Sequence, residues 1–131
     1  MIKAYFRISC LIMSFLKFLF SINGRINRHA WWFYLACAAA FHVFLVAMVQ
    51  RTHNGDYSEF TPMFVLLFLP LLFADFAVCA KRFQDIEFTG WSALLGLMPI
   101  FGWIYIIICC GFLKGTDGDN EYGPPSRNIF E

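Results

Sequence analysis

Charge is what this chain has least of. Charged residues fill 15% of its 131 positions, against 60% hydrophobic and 20% aromatic, and the mean hydropathy is +0.61. A water-soluble fold averages about 25% charged and roughly 45–50% apolar residues, and a chain this short could not hide seventeen Phe from water. Lipid is therefore the solvent for much of it. The sequence also lacks a clustered basic face, and a net charge of +1 leaves no electrostatic footprint for nucleic acid. It has no C-x-x-C pair. Cys10, Cys37, Cys79, Cys109 and Cys110 are odd in number and all lie in apolar stretches, which argues against a zinc site or disulfide framework and for buried small hydrophobes. No G-x-G-x-x-G or Walker loop occurs, and no nucleophile stands in a recognised activating motif. The chain reads as non-enzymatic, with no cofactor and no metal.

Long apolar runs are present instead. They give the fold class: an all-α integral membrane protein, with three transmembrane helices preceded by an amphipathic interfacial helix. Residues 1–22 are apolar apart from Lys3, Arg7 and Lys17, which share one narrow stripe with Ser14 and Ser21 at the helical period. Cations on one side with Phe, Leu and Ile on the other form the pattern of a helix lying in the membrane surface. A signal peptide would need a small-x-small site where Asn23, Gly24 and Arg25 stand, and a fourth span would have to carry or snorkel Lys17.

Residues 23–113 read as the membrane domain, with spans over about 30–49, 62–80 and 91–113. The first run, at about 1.5 Å per residue, covers the roughly 30 Å hydrocarbon core, and Trp31, Trp32 and Tyr34 suit the headgroup boundary. Pro70 and Pro99 should bend the second and third spans. Gln50 to Thr61, with Asn54-Gly55 as its turn and His53 within it, reads as a solvated loop. Residues 114–131, rich in Gly, Pro, Asp and Asn, read as a turn-laden tail against the membrane surface. Asp117, Asp119 and Glu121 alternate as a calcium loop begins, but Tyr122 and Asn128 stand where its Gly and bidentate Glu belong.

Lys3, Arg7, Lys17, Arg25, Arg28, Lys81 and Arg82 fall on one side of that arrangement, and Arg51, Lys114 and Arg127 on the other. The positive-inside rule then places a multi-pass protein in the cell inner (plasma) membrane with a cytoplasmic N-terminus and an outer C-terminus.

Specific chemistry is expected between Ala74 and Trp91, where a charged connection is gripped by two apolar runs. The candidate polar cluster is Asp75, Lys81, Arg82, Gln84 and Asp85, with Arg25 and Arg28 entering at the same boundary. An unpaired Asp75 inside the bilayer costs roughly 2.5–3.5 kcal/mol, so an arginine partner is expected: Arg82, or alternatively Arg25 or Arg28. Counted from Ala30, His42 lies about 18 Å deep, level with Trp103 and Tyr105, while Asp75 counted from Ala80 lies only about 7–8 Å deep. His42 is therefore expected to hydrogen-bond to Tyr105 or Trp103.

Four stretches in order carry a family resemblance. Gly24-Arg25-Ile26-Asn27-Arg28 before Trp31-Trp32, Lys81-Arg82-Phe83-Gln84-Asp85 before Thr89-Gly90-Trp91, and Met98-Pro99 with Gly102-Trp103 are three of them. Lys114-Gly115-Thr116 with Gly118, Asn120, Tyr122, Gly123 and Pro124 is the fourth. Together they resemble the small bacterial inner-membrane proteins of domain of unknown function family 805. The resemblance implies an integral membrane protein and supplies no activity. Gln84 stands where the family has histidine, and a carboxamide neither titrates near neutral pH nor commonly binds metal.

The functional expectation is a small integral membrane protein of unknown activity, acting as an accessory or interaction protein of the cytoplasmic membrane. Its partners would be anionic lipid headgroups at the basic inner face and a membrane protein or a second copy. The alternative is a subunit of an oligomeric small-solute or ion transporter or channel, because Asp75 and His42 are intramembrane ionisable groups of the kind that mark ion paths.

Overall fold

The computed structural model describes the backbone of residues 2–53 and 61–125 and the side chains of residues 7–51 and 65–125. The turn expected at Asn54-Gly55, the side chain of Lys3, and Arg127 and Asn128 lie outside these. Helix α1 (Ile2–Phe20) is followed by α2 (Arg28–His53) and α3 (Thr61–Asp85). Among the described residues there is no strand, only an isolated bridge between Asn120 and Gly123. One described helix segment, Arg28–Arg51, is long and apolar enough on its own to cross a membrane. The α3 helix is of similar length but carries Asp75, Lys81, Arg82 and Asp85.

Local chemistry sets these boundaries. Asn27 caps α2: its side-chain oxygen accepts from the Ala30 N–H at 2.8 Å and its carbonyl from Trp31 at 3.1 Å, supplying acceptors for otherwise orphan donors. Pro70 is accommodated within α3. At the other end of α3, Phe88 N–H donates to the Phe83 carbonyl at 2.9 Å and Glu87 N–H to Gln84 at 3.3 Å, with Glu87 at φ 64°. This is a Schellman stop, sealed by the Phe83 and Phe88 rings, which meet edge to face at 6.4 Å.

The continuous third span expected over 91–113 is not formed. A 3-10 arm (Gly90–Leu97) and a second helical arm (Phe101–Phe112) lie against each other, joined by a reversal at Met98, Pro99 and Ile100. Ile100 has φ 64° and ψ −66°, and the Phe101 N–H donates to the Pro99 carbonyl at 2.8 Å. This is a γ-turn, a strained way for an L-residue to turn the chain within three residues. Pro99 thus ends a helix where Pro70 does not. Gly102 makes the reversal fit, since a Cβ there would lie 1.8 Å from the Leu95 carbonyl oxygen.

The second arm starts as α-helix and ends as π-helix over Ile107–Phe112. Instead of leaving at the far end, the tail after it folds back onto Arg25 and Asp85. The chain before α2 and the chain after the second arm therefore meet at one end of the bundle. The core lies at that end too, built from Ile26, Ala30, Trp31, Val78, Ala80, Phe83, Ile106 and Cys110. Farther along α2 and α3, side chains such as Phe41, Val43, Phe44, Leu66 and Leu69 are exposed.

Candidate functional site

The last turn of α3 converts an apolar helix into a charged one. Arg82 and Asp85 stand three residues apart, so they share a helical face, and the Arg82 guanidinium pairs with Asp85 Oδ2 while Arg25 Nε donates to Asp85 Oδ1 at 3.0 Å. All three side chains are buried. Two cations around one carboxylate leave most guanidinium N–H groups to be satisfied otherwise, and backbone carbonyls do this. Arg82 donates to the Cys110 carbonyl at 2.8 Å and to Leu113 at 2.5 Å. It thereby caps the orphan carbonyls at the end of the second arm, where a cation is also favoured by the helix dipole.

Arg25 draws the tail inward, donating to the carbonyls of Gly118 at 2.7 Å, Gly123 at 3.0 Å and Thr116 at 2.7 Å, and to the Thr116 hydroxyl at 3.3 Å. The Thr116 hydroxyl and N–H both donate to the Asp85 carbonyl, at 2.8 and 2.9 Å. Asn120 Nδ2 donates to the Gln84 carbonyl at 2.9 Å. The tail passes so near that a Cβ at Gly115 would sit 2.0 Å from Asp85 Oδ2. This assembly is an ionic knot joining three distant parts of the chain, and it takes in the described part of the tail expected over 114–131.

Lys81, next in the buried layer, is held apart from the carboxylates. Its ammonium donates to the Phe18 carbonyl and lies 4.7 Å from the centre of the Phe18 ring, fixing the end of α1 on α3. It stands beyond the apolar run, which ends at Ala80. Burial pushes its pKa from the ordinary 10.5 down to about 8, because desolvation penalises the charged form. Between those values the unfolded chain holds more protons than the folded one, so stability should rise as pH increases through about 8 toward 10.5. Thermal melts in nanodiscs at pH 7 and 9.5 should show that gain in the native chain and lose it in Lys81→Met; an equal pH response in both would count against a buried titrating lysine. Arg28 is exposed and takes no hydrogen bond within the knot as described.

Asp75 does not pair with an arginine. Tyr34 Oη donates to its Oδ1 at 2.7 Å, and His42 Nε2 lies 3.7 Å from its Oδ2. The expected bond from His42 to Tyr105 or Trp103 is likewise replaced. His42 Nδ1 donates to the Ala38 carbonyl at 2.7 Å, which turns Nε2 toward Asp75, and the imidazole stands edge-on to Phe68 at 5.3 Å. Tyr105 stacks on Phe83 instead, at 5.9 Å, and Trp103 is exposed.

The reason is depth. The buried layer extends to Asp85, so Asp75 is ten residues, or about 15 Å, from the charged end; Tyr34 and His42, six and fourteen residues along α2 from Arg28, lie at about 9 and 21 Å and bracket it. Arg82 is already committed to Asp85.

Gln84 is buried beside Gly90, where a Cβ would lie 2.9 Å from Gln84 Nε2. Of the cluster expected from the sequence, the structure brings Arg25, Arg82 and Asp85 into one site, with Lys81 and Gln84 beside it, and sets Asp75 and Arg28 apart. Sequence reasoning missed Thr116, Gly115 and Asn120 as ligands and spacers of the knot. Their signal was the fourth motif, whose residues have no catalytic character and bind through a mixture of backbone groups, the Thr116 hydroxyl and the Asn120 carboxamide.

A family model described as "Protein of unknown function (DUF805)" matches residues 19–124. The chain is 30% identical over 117 residues to the inner membrane protein YhaH of Escherichia coli (strain K12), covering 86% of this chain and 92% of that relative. It is 27% identical over 114 residues to the inner membrane protein YhaI of the same strain, covering 85% and 90%. No solved structure matches. The matched region takes in Arg25, α2, α3, both arms and the tail through Pro124, so it contains the whole knot.

Proposed function

The chain belongs to the DUF805 family of uncharacterised inner membrane proteins, and from that premise we propose that it is an interaction protein of the cytoplasmic membrane that binds another membrane helix across its α2–α3 face. In this reading α2 and α3 cross the bilayer as an antiparallel pair with the knot on the cytoplasmic side. Arg25, Arg28, Lys81 and Arg82 all gather at that end, as the positive-inside rule requires. The exposed cations Arg7, Lys17 and Arg28 meet anionic headgroups there.

The observation that carries the reading is the trio Tyr34, Asp75 and His42. The His42 and Asp75 side chains retain 24% and 33% exposure at a depth where hydrocarbon offers no hydrogen bond. Polar side chains at such depth face protein or a water-filled cavity, so a protein partner is the natural cover.

A photo-crosslinking residue at Leu45, one turn beyond His42, should yield adducts with a polypeptide, either a second copy or another membrane protein. Combined Tyr34→Phe, His42→Leu and Asp75→Leu changes should remove those adducts while the bare protein stays abundant. Adducts with lipid alone in the native chain would sink the proposal. The trio also supports the second reading, a subunit of an ion or small-solute path. That reading requires flux in reconstituted vesicles that Asp75→Asn abolishes.

A further inference from the structure

Among the described residues outside the α2–α3 pair, 90–112 carry a large exposed apolar surface that includes Trp91, Leu97, Ile100, Phe101 and Phe112, and the knot does not explain it. We infer that these residues form a re-entrant hairpin, entering and leaving the membrane from the knot side with the tip lodged among the acyl chains of one leaflet. The inference rests on the proposed crossing of α2 and α3.

Both ends of the hairpin are tied to the same place. Before it, the Phe88 N–H is bonded to the Phe83 carbonyl, and after it the Thr116 N–H is bonded to Asp85, each at 2.9 Å. Neither arm can reach across. Eight residues of 3-10 helix rise about 16 Å at roughly 2.0 Å each, and the twelve residues of the second arm about 18 Å at roughly 1.5 Å each; the hydrocarbon core is about 30 Å thick.

The tip has the surface such a place demands. Leu97 is 82% exposed and Phe101 76%, with Met98 and Ile100 exposed between them, and no charged residue occurs from Gly90 to Leu113. Water would be a poor solvent for it, and a polar protein partner would find no hydrogen-bonding side chain at the tip.

The backbone also suits hydrocarbon, where irregular structure is tolerated only if its polar groups are satisfied. Through the reversal, Met98 N–H donates to Leu95, Phe101 to Pro99, Gly102 to Met98 and Ile104 to Ile100, at 2.8 to 3.2 Å. Pro99 has no N–H to satisfy. Gly102 lets the two arms touch backbone to backbone, which keeps the hairpin narrow enough to sit beside α3.

The test uses the full chain in native membranes with one epitope tag inserted after Gly55 and another after Glu131. Re-entry places the two tags on opposite sides, the second in the cytoplasm. Tags on the same side would mean that the hairpin region crosses, overturning the inference while leaving the α2–α3 crossing intact. Release of the protein by alkaline carbonate would instead defeat the crossing reading itself.

Trp103, exposed on the second arm, reports on the occupant. In nanodiscs containing acyl-brominated lipid, Trp103→Phe should remove a large share of the tryptophan quenching. If the lost emission is instead the part quenched by aqueous iodide, the hairpin lies outside the lipid and the inference fails.

Discussion

Asp85→Ala should leave little folded protein, with a stability loss of about 3–5 kcal/mol, the cost of removing one partner from a buried ion pair. Its carboxylate is the anion among the side chains bonded to Arg25 and Arg82, both of which are buried. Without it two guanidinium groups confront each other in a site that excludes water. The remaining acceptors are carbonyls, which solvate but do not neutralise. Asp85→Asn keeps the shape and should still lose most of the stability, which separates charge from packing. Because Arg25 and Asp85 belong to one network, Arg25→Leu with Asp85→Leu should cost clearly less than the sum of the single changes. Thermal unfolding in nanodiscs and the membrane abundance of each variant measure this. Native-like melting of Asp85→Ala would show that the knot contributes nothing to folding.

Gly102→Ala should be the most damaging single-methyl addition in the hairpin. The new Cβ would stand 1.8 Å from the Leu95 carbonyl oxygen and 2.8 Å from its carbon, so the obstacle is backbone and cannot rotate away. Overpacking usually costs roughly 1–3 kcal/mol, and this case belongs at the upper end because the arms must separate. Gly96→Ala is the control. Its Cβ would approach only the terminal methyl of Ile106, at 2.8 Å, and a small side-chain shift relieves that. Equal melting temperatures for the two variants would refute the close approach of the arms.

These residues also show which parts of the molecule could be read from its sequence. The α2 helix was legible because an apolar run of spanning length followed a basic, aromatic border, and Arg25, Arg82 and Asp85 were legible as members of one polar cluster, although Arg82 was expected to pair with Asp75 and not with Asp85. The hairpin was not. Trp91 to Leu113 has the length and apolarity of a span, and composition cannot distinguish one long helix from two short arms folded against each other. Pro70 and Pro99 look alike as helix breakers; the difference is Ile100, whose positive φ no propensity would assign to a β-branched residue.

The partner of Asp75 was misjudged through depth. A depth counted from Ala80 leaves out the five residues by which α3 continues into the buried layer, and Tyr34, next to Trp31 and Trp32, has the character of a headgroup-boundary residue. The ligands of Arg25 were hidden for another reason. They are mostly main-chain carbonyls, a chemistry that every residue carries and no side-chain pattern announces.

The span of chain closed by the knot also imposes an order in time. Arg25 is bonded to groups 60, 91, 93 and 98 residues later in the sequence. At about 5–20 residues per second of synthesis, that arginine waits on the order of 5 to 20 seconds for the tail that completes its shell. Once Asp85 has been made, α2 and α3 are complete, while the basic entrance still stands open to headgroups and water until the tail arrives. Insertion must therefore precede closure, and a ribosome that stalls before Thr116 would leave a chain placed in the membrane but never locked.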